Sequence, residues 1–230
     1  MLVSEVMLHQ TQVSRVAAAW PGFIARFPDP GVMAAAGPGA VIAAWGRLGY
    51  PRRARRLWEA AVVITARGWP DDLTDLPGVG RYTAGAVAAQ ADDADVVAVD
   101  VNIRRVVERI AGRRLTPREA EASALELGGP LGGRDRLLAL MDLGSLVCRP
   151  RDPRCDECPL APQCTAHGPV NGERRTRQAR FEGSFRQRRG RVLAQLRAGP
   201  AAAGALDADA LASLVADGLA AVHGTMASLP

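Results

Sequence analysis

The chain contains no lysine: all 29 of its basic residues are arginine, set against 24 acidic ones for a net charge of +5. Without lysine there is no side-chain amine, so a Schiff-base nucleophile could come only from the N-terminal amine. Long apolar runs are also missing, and none reaches the length of a membrane span. The opening "MLVSEVMLHQTQV" carries Glu5 and no basic stretch, so it does not read as a secretory signal. These features point to a cytoplasmic chain. Strand-forming stretches and internal repeats are absent, and the composition is rich in alanine, which favours helix. The expected fold class is therefore all-α. At 230 residues the chain can bury one large core or two small ones. The arginine excess suits a polyanionic partner. A GC-rich coding bias explains the choice of arginine over lysine equally well.

Cysteine is confined to "VCRPRDPRCDECPLAPQC", with spacing Cys148-x6-Cys155-x2-Cys158-x5-Cys164. Cytosolic thiols stay reduced, which argues against disulfides. Four thiolates in one loop read as a metal site. Zinc and a cubane iron–sulfur cluster both take four thiolates. Zinc ribbons usually show two Cys-x2-Cys knuckles, and here there is one.

The periodicity predicts one helix over residues 1–20, with Val3, Val6, Met7, Val13 and Val16 apolar, and a break at "RFPDPG". "GAVIAAWGRLGY" reads as a helix ending at Gly49. "RRARRLWEAAVVITARG" is amphipathic, with arginine on one side and Leu57, Ala61 and Ile64 on the other. A helix follows Asp100 in "DVVAVDVNIRRVVERIAG", and Thr116 with Glu119 forms a capping-box pattern. Residues 169–191 hold eight arginines, a solvated linker or a phosphate-tracking arm. The last segment reads as two short amphipathic helices.

Three stretches could carry chemistry. In "LPGVGRYTAGAV", Pro77, Gly78 and Gly80 allow a tight turn into a helix. Its amide N–H groups, from Gly78, Val79, Gly80 and Arg81, would receive a phosphate without reading bases. Asp100 is placed to cap the helix that starts near Asn102. Glu5 lies in the first turns of a helix, where a negative charge is favoured.

Taken together these stretches resemble one family. The x6-x2-x5 loop and "PRCDECPLAPQC" are similar to the iron–sulfur loop of the endonuclease III and MutY DNA glycosylases. LPGVGxxTA resembles the helix–hairpin–helix signature of that superfamily, and "SEVMLHQTQV" resembles the MutY motif SE-x-ML-x-QT. The resemblance covers about residues 1–168. It implies a two-lobed helix–hairpin–helix glycosylase fold with a [4Fe–4S] cluster on the four cysteines. The lobes would be a helical barrel over residues 1–98 and a cluster lobe over 99–168, followed by an Arg-rich linker and small helical segment over 169–230.

The implied activity is removal of adenine opposite 8-oxoguanine or guanine from double-stranded DNA by a monomer associated with the nucleoid. Asp100 would stabilise an oxocarbenium-like sugar, with Asn102 beside it, and Glu5 would protonate the leaving purine. Tyr82 holds the position, 18 residues before Asp100, that bifunctional relatives give to a lysine, so the resemblance implies hydrolysis without lyase chemistry. Gln10 and Tyr50 would wedge into the duplex. Arg104, Arg105, the Arg52 to Arg56 group and the cluster-loop residues Arg149, Arg151 and Arg154 are candidate phosphate contacts.

The sequence departs from the family in three places. The family's first helix and Pro-Trp-Arg segment would precede Met1. Residues 169–230 are too short for the family's lesion-sensing domain. His9 replaces a glutamine. The same scaffold serves glycosylases for mismatched thymine or uracil and for oxidised pyrimidines such as 5-hydroxyuracil. A DNA-binding module without catalysis would keep the hairpin and the cluster.

Overall fold

The computed structural model describes residues 1–173 and 180–230. Residues 174–179, the middle of the Arg-rich stretch, lie outside them. The chain forms two compact units. One joins Val3–Val79 to the chain from Arg180 onward, and the other joins Met1–Leu2 to the stretch from Gly80 through Glu173. No helix among the described residues is long and apolar enough to cross a membrane.

The first unit opens with α1 (Leu2–Leu8) from Val3 onward, followed by α2 (Val13–Arg26). The single helix expected over residues 1–20 is therefore broken, because Gln10 sits at φ 53° and residues 9–12 form a turn. The "RFPDPG" break is present: Asp29 caps α3 (Pro30–Trp45), accepting from the Val32 N–H at 2.9 Å. Gly37 (φ 80°, ψ 162°) before Pro38 kinks α3, which ends at Trp45, four residues short of the expected Gly49. Phe23, Phe27 and Trp45 pack edge to face at centroid distances of 5.0 and 6.0 Å and anchor α2 on α3. On α4 (Arg52–Arg67), Leu57, Ala61 and Ile64 are buried as the pattern required.

The last segment completes this unit. Its two expected helices are α9 (Phe185–Ala198) and α10 (Ala208–Ala216). They frame a three-stranded antiparallel sheet in the order β1-β3-β2, made of β1 (Ala201–Ala202), β2 (Ala221–His223) and β3 (Met226–Ser228). Strands of two or three residues, largely alanine, carry no alternation to read in sequence. Helix, strand, helix and hairpin follow one another in chain order.

This module is fastened to α4 through Asp217. Its carboxylate pairs with Arg52 and with Arg189 (2.5 Å), and its carbonyl accepts from Arg55 at 2.7 Å. The Arg52 hydrogen bond first, and then Arg189, hold the Asp217 carboxyl below its ordinary value against the opposing effect of burial. A lowered carboxylate value stabilises the fold above about pH 4, and that contribution is lost as pH falls through the lowered value. Asp217→Asn should therefore cost about 1–2 kcal/mol at pH 7. In thermal melts the gap to the parent protein should close below about pH 4. A gap that stays constant with pH would remove this role.

The second unit packs α5 (Arg81–Asp92), α6 (Val101–Ala111), α7 (Pro117–Leu127) and α8 (Gly133–Asp142) around Ala86, Ala98, Ile103, Val107, Leu137 and Leu140. The capping box at the start of α7 is present. Thr116 Oγ1 accepts from the Glu119 N–H at 3.3 Å, and the Glu119 carboxylate accepts from the Thr116 N–H at 2.7 Å. One π-helical turn, Leu143–Val147, leads from α8 into the cysteine loop.

Candidate active site and cysteine loop

The "LPGVG" turn forms as its glycines require. Gly78 takes φ +80°, and a Cβ there would sit 2.6 Å from Arg56 Cβ, so both conformation and space call for glycine. Leu76 and Val79 are buried and fix the turn, and the Val79 N–H donates to the Leu76 carbonyl at 3.1 Å. Gly80 is the N-cap of α5 and has no side chain to bond the helix's first amides. Arg81 follows with its side chain largely exposed, 3.4 Å from Glu121. Tyr82, half-buried, packs on the core of the second unit.

Asp100 caps α6 with one oxygen, which accepts from the N–H groups of Asn102 at 2.8 Å and Ile103 at 2.7 Å. Its other oxygen accepts from Asn102 Nδ2 at 2.7 Å. The cap reading of Asp100 is thus correct, and the cap does not preclude chemistry. It immobilises the carboxylate and leaves it partly exposed. Gly144, in the π turn, lies so close that a Cβ would sit 2.8–2.9 Å from the Asn102 Cβ and backbone.

Asn102 continues inward. Its Oδ1 accepts from Arg105 at 2.9 Å, and Arg105 also donates to the carbonyls of Cys148 (2.6 Å) and Gly144 (2.5 Å). One turn further along α6, Arg109 donates to the Arg149 carbonyl at 2.8 Å and to Cys148 Sγ at 3.5 Å. It also forms a two-point pair with Glu173 at 3.0 and 2.8 Å. At the far end of the loop, the Thr165 and Ala166 N–H groups donate to the carbonyls of Ile110 and Arg109. A continuous polar path therefore runs from Asp100 through Asn102 and Arg105 to Cys148.

All four cysteines are half-buried and line one cavity with Arg109, Pro153 and His167. Burial pushes the Cys148 thiol up, while the Arg109 guanidinium pulls the other way. Among the described residues, no three His, Cys, Asp or Glu side chains form a group that could hold a single metal ion.

The first unit holds Glu5, Gln10 and Tyr50. Glu5 is buried in α1. Gln10 is exposed, and Tyr50 is 42% exposed. Both adopt left-handed backbone conformations, at φ 53° and 46°. Burial first, and then the charge of Arg53, lowers the ordinary value of the neighbouring His9 imidazole, while Glu5 acts in the opposite sense.

Two of the expected phosphate contacts are overturned. Arg105 is buried, with its guanidinium shared between the cysteine loop and Asn102, and Arg53 turns into its own unit to bond main-chain carbonyls. Several others have protein partners. Arg52 and Arg55 hold Asp217, Arg56 pairs with Glu59, and Arg104 donates to Glu108 and to the Leu115 carbonyl at 2.9 Å. Arg154 pairs with Glu157, and Arg149 donates to the Asp152 carbonyl. The inward roles of Arg105 and Arg109 were missed in the sequence. The available signal was their i, i+4 spacing on a helix with Ile103, Val106 and Val107 also buried, where any charge must be paired.

A tight glycine turn entering a helix that has no side-chain cap, with a capped carboxylate at the start of the following helix, is the arrangement of a helix–hairpin–helix protein. Residues 3–130 match the HhH-GPD superfamily base excision DNA repair protein family. The chain is 45% identical over 208 residues to the adenine DNA glycosylase of Mycolicibacterium smegmatis, a match spanning 85% of this chain and 71% of that one. It is 47% identical over 214 residues to that of Mycobacterium tuberculosis, covering 86% and 69%. Among solved structures, a thermostable thymine-DNA glycosylase superposes with a TM-score of 0.66 at 28% identity, over 72% of this chain and 82% of that one. The chain belongs to the HhH-GPD superfamily of base excision DNA repair proteins, within its adenine DNA glycosylase (MutY) family.

Proposed function

We propose that this DNA glycosylase hydrolyses the N-glycosidic bond of adenine in duplex DNA where adenine lies opposite 8-oxoguanine or guanine. The observation that carries the choice of adenine is the 45–47% identity to adenine DNA glycosylases over most of the chain. Identity to the thymine-DNA glycosylase is 28%. In this reading the α5 N-terminus, which has no side-chain cap, and the amides of Gly78, Gly80 and Arg81 receive a backbone phosphate, while the Val79 N–H is already taken by the Leu76 carbonyl. Gln10 and Tyr50 enter the duplex as the target base leaves the stack. Arg104 adds at most a secondary phosphate contact, since one of its nitrogens is already bonded within the protein.

Breaking the glycosidic bond develops positive charge on the sugar. Asp100, fixed by three hydrogen bonds, is a preorganised counter-charge that needs no rearrangement when that charge appears. Asn102 orients it. Glu5 supplies the proton that makes the purine a leaving group. Tyr82 stands where a Schiff-base amine would be needed, and these 230 residues include no lysine. The product is therefore an abasic site in an unbroken strand.

Cys148, Cys155, Cys158 and Cys164 would hold a [4Fe–4S] cluster. Four free cysteines around one cavity, with a single Cys-x2-Cys pair, supply the four thiolates such a cluster takes. When bound, the cluster cross-links the loop, and Arg105 and Arg109 tie that loop to α6.

The test is a panel of duplexes bearing A opposite 8-oxoguanine, A·G, G·T, G·U or 5-hydroxyuracil, read on denaturing gels with and without hot alkali. Cleavage is expected at adenine alone and only after alkali. Cleavage confined to a pyrimidine would replace the substrate assignment, strand breaks without alkali would remove the hydrolysis-only assignment, and no cleavage anywhere would leave a binding module. The purified protein should be brown and contain about four irons per chain, with broad visible absorbance. A colourless protein with one zinc would rule out the cluster.

A further inference from the structure

Two exposed side chains in the first unit, Gln10 and Tyr50, sit on strained turns that share one support. A non-glycine residue at positive φ is costly and persists only where its surroundings over-determine it. Each turn has local bonds of its own, from Thr11 Oγ1 to the His9 carbonyl (3.2 Å) and from Trp45 Nε1 to the Gly49 carbonyl (2.9 Å). What the two turns share is Arg53, in the first turn of α4, whose guanidinium reaches both. One of its terminal nitrogens donates to the carbonyls of Val6 (2.7 Å), Met7 (3.1 Å) and His9 (2.6 Å), closing the end of α1 just before Gln10. The other donates to Thr11 Oγ1 (2.9 Å) just after Gln10, and to the carbonyls of Leu48 (3.4 Å) and Gly49 (3.2 Å) just before Tyr50. The guanidinium also lies over the rings of Trp45 and Tyr50, at 5.3 and 5.4 Å. Thr11 Oγ1 bridges the same two turns, within 3.2 Å of the His9 carbonyl and 3.3 Å of the Leu48 carbonyl.

We propose that Arg53 is a positioning residue that sets Gln10 and Tyr50 as one preorganised pair for entry into duplex DNA. The proposal rests on the reading above in which these two side chains enter the duplex. A planar fork is required, because its two ends reach different turns at once. Lysine offers a single ammonium that serves one turn and releases the other. A pair already in place meets the duplex without an ordering cost at the moment of binding. The residue thereby acts on extrusion of the base and leaves bond cleavage to other groups.

The test uses the full chain and a duplex carrying 2-aminopurine, a fluorescent adenine analogue, opposite guanine. Affinity and the fluorescence rise on extrusion are measured for Arg53→Lys, for the milder Thr11→Val, and for each combined with Gln10→Ala and Tyr50→Ala. Arg53→Lys should weaken binding about tenfold or more and reduce the fluorescence rise. Thr11→Val should act in the same direction and less. Both effects should vanish when Gln10 and Tyr50 are already alanine, whereas a general folding defect would persist there. If Gln10→Ala and Tyr50→Ala themselves change neither signal, the duplex-entry reading fails, whatever Arg53 does. If they matter and Arg53→Lys keeps the full signal, or loses as much in their absence, the positioning role is overturned.

Discussion

Asp100→Asn should lose base release by about 10²–10³-fold or more while keeping both the fold and DNA affinity. The separation follows from the double duty of this side chain. As an N-cap, asparagine is about as good as aspartate, so the bonds from the Asn102 and Ile103 N–H groups survive the change. The second oxygen accepts from Asn102 Nδ2. With the amide oxygen kept on the two backbone N–H groups, its NH₂ faces the Asn102 NH₂, so one hydrogen bond, about 1 kcal/mol, is lost. What disappears entirely is the negative charge, and only the cationic sugar of the transition state requires it. Single-turnover rates on an adenine duplex, equilibrium binding to the same duplex and a thermal melt separate these effects. A variant that turns over at the parental rate would show that the carboxylate is a cap and nothing more. A variant that also fails to bind would show that the site was misplaced.

The residues that were legible in sequence are those whose conformation is set locally. The Thr116–Glu119 box, the Asp100 cap, the glycines of the hairpin and the apolar face of α4 all formed as their spacing required. Each depends on neighbours within a few residues, and the periodicity of such stretches encodes the outcome. What was not legible depends on partners far along the chain. Residues 1–20 carry an uninterrupted helical pattern, yet the helix stops at Leu8, and the carbonyls it leaves open are taken by Arg53 from 44–47 residues away. The arginines of α4 and α6 read as solvated or phosphate-facing because charge in a helix usually is. Burial against the cysteine loop and the C-terminal module gave several of them internal acceptors instead. The small sheet was invisible for another reason: strands of two or three residues show no alternation, and their register comes from pairing between segments up to 26 residues apart.

Glu5→Gln should cost about 10²–10⁴-fold in the rate of adenine release, and the size of that loss should depend on the leaving group. Adenine departs poorly as an anion, so a proton delivered as the bond breaks carries much of the catalysis. Glutamine has nearly the same shape and can fill the buried position of Glu5, but it has no proton to give. A nucleotide bearing N7-methylated adenine is already cationic and leaves without that proton. On such a substrate, after its spontaneous loss is subtracted, Glu5→Gln should recover most of the parental rate. Asp100→Asn should remain slow, because the positive charge that it faces sits on the sugar whichever base departs. The two acids thus make opposite predictions for one change in the substrate. Equal losses on both leaving groups for Glu5→Gln would mean that Glu5 holds the fold of α1 or orients the substrate, and the proton would have to come from another group.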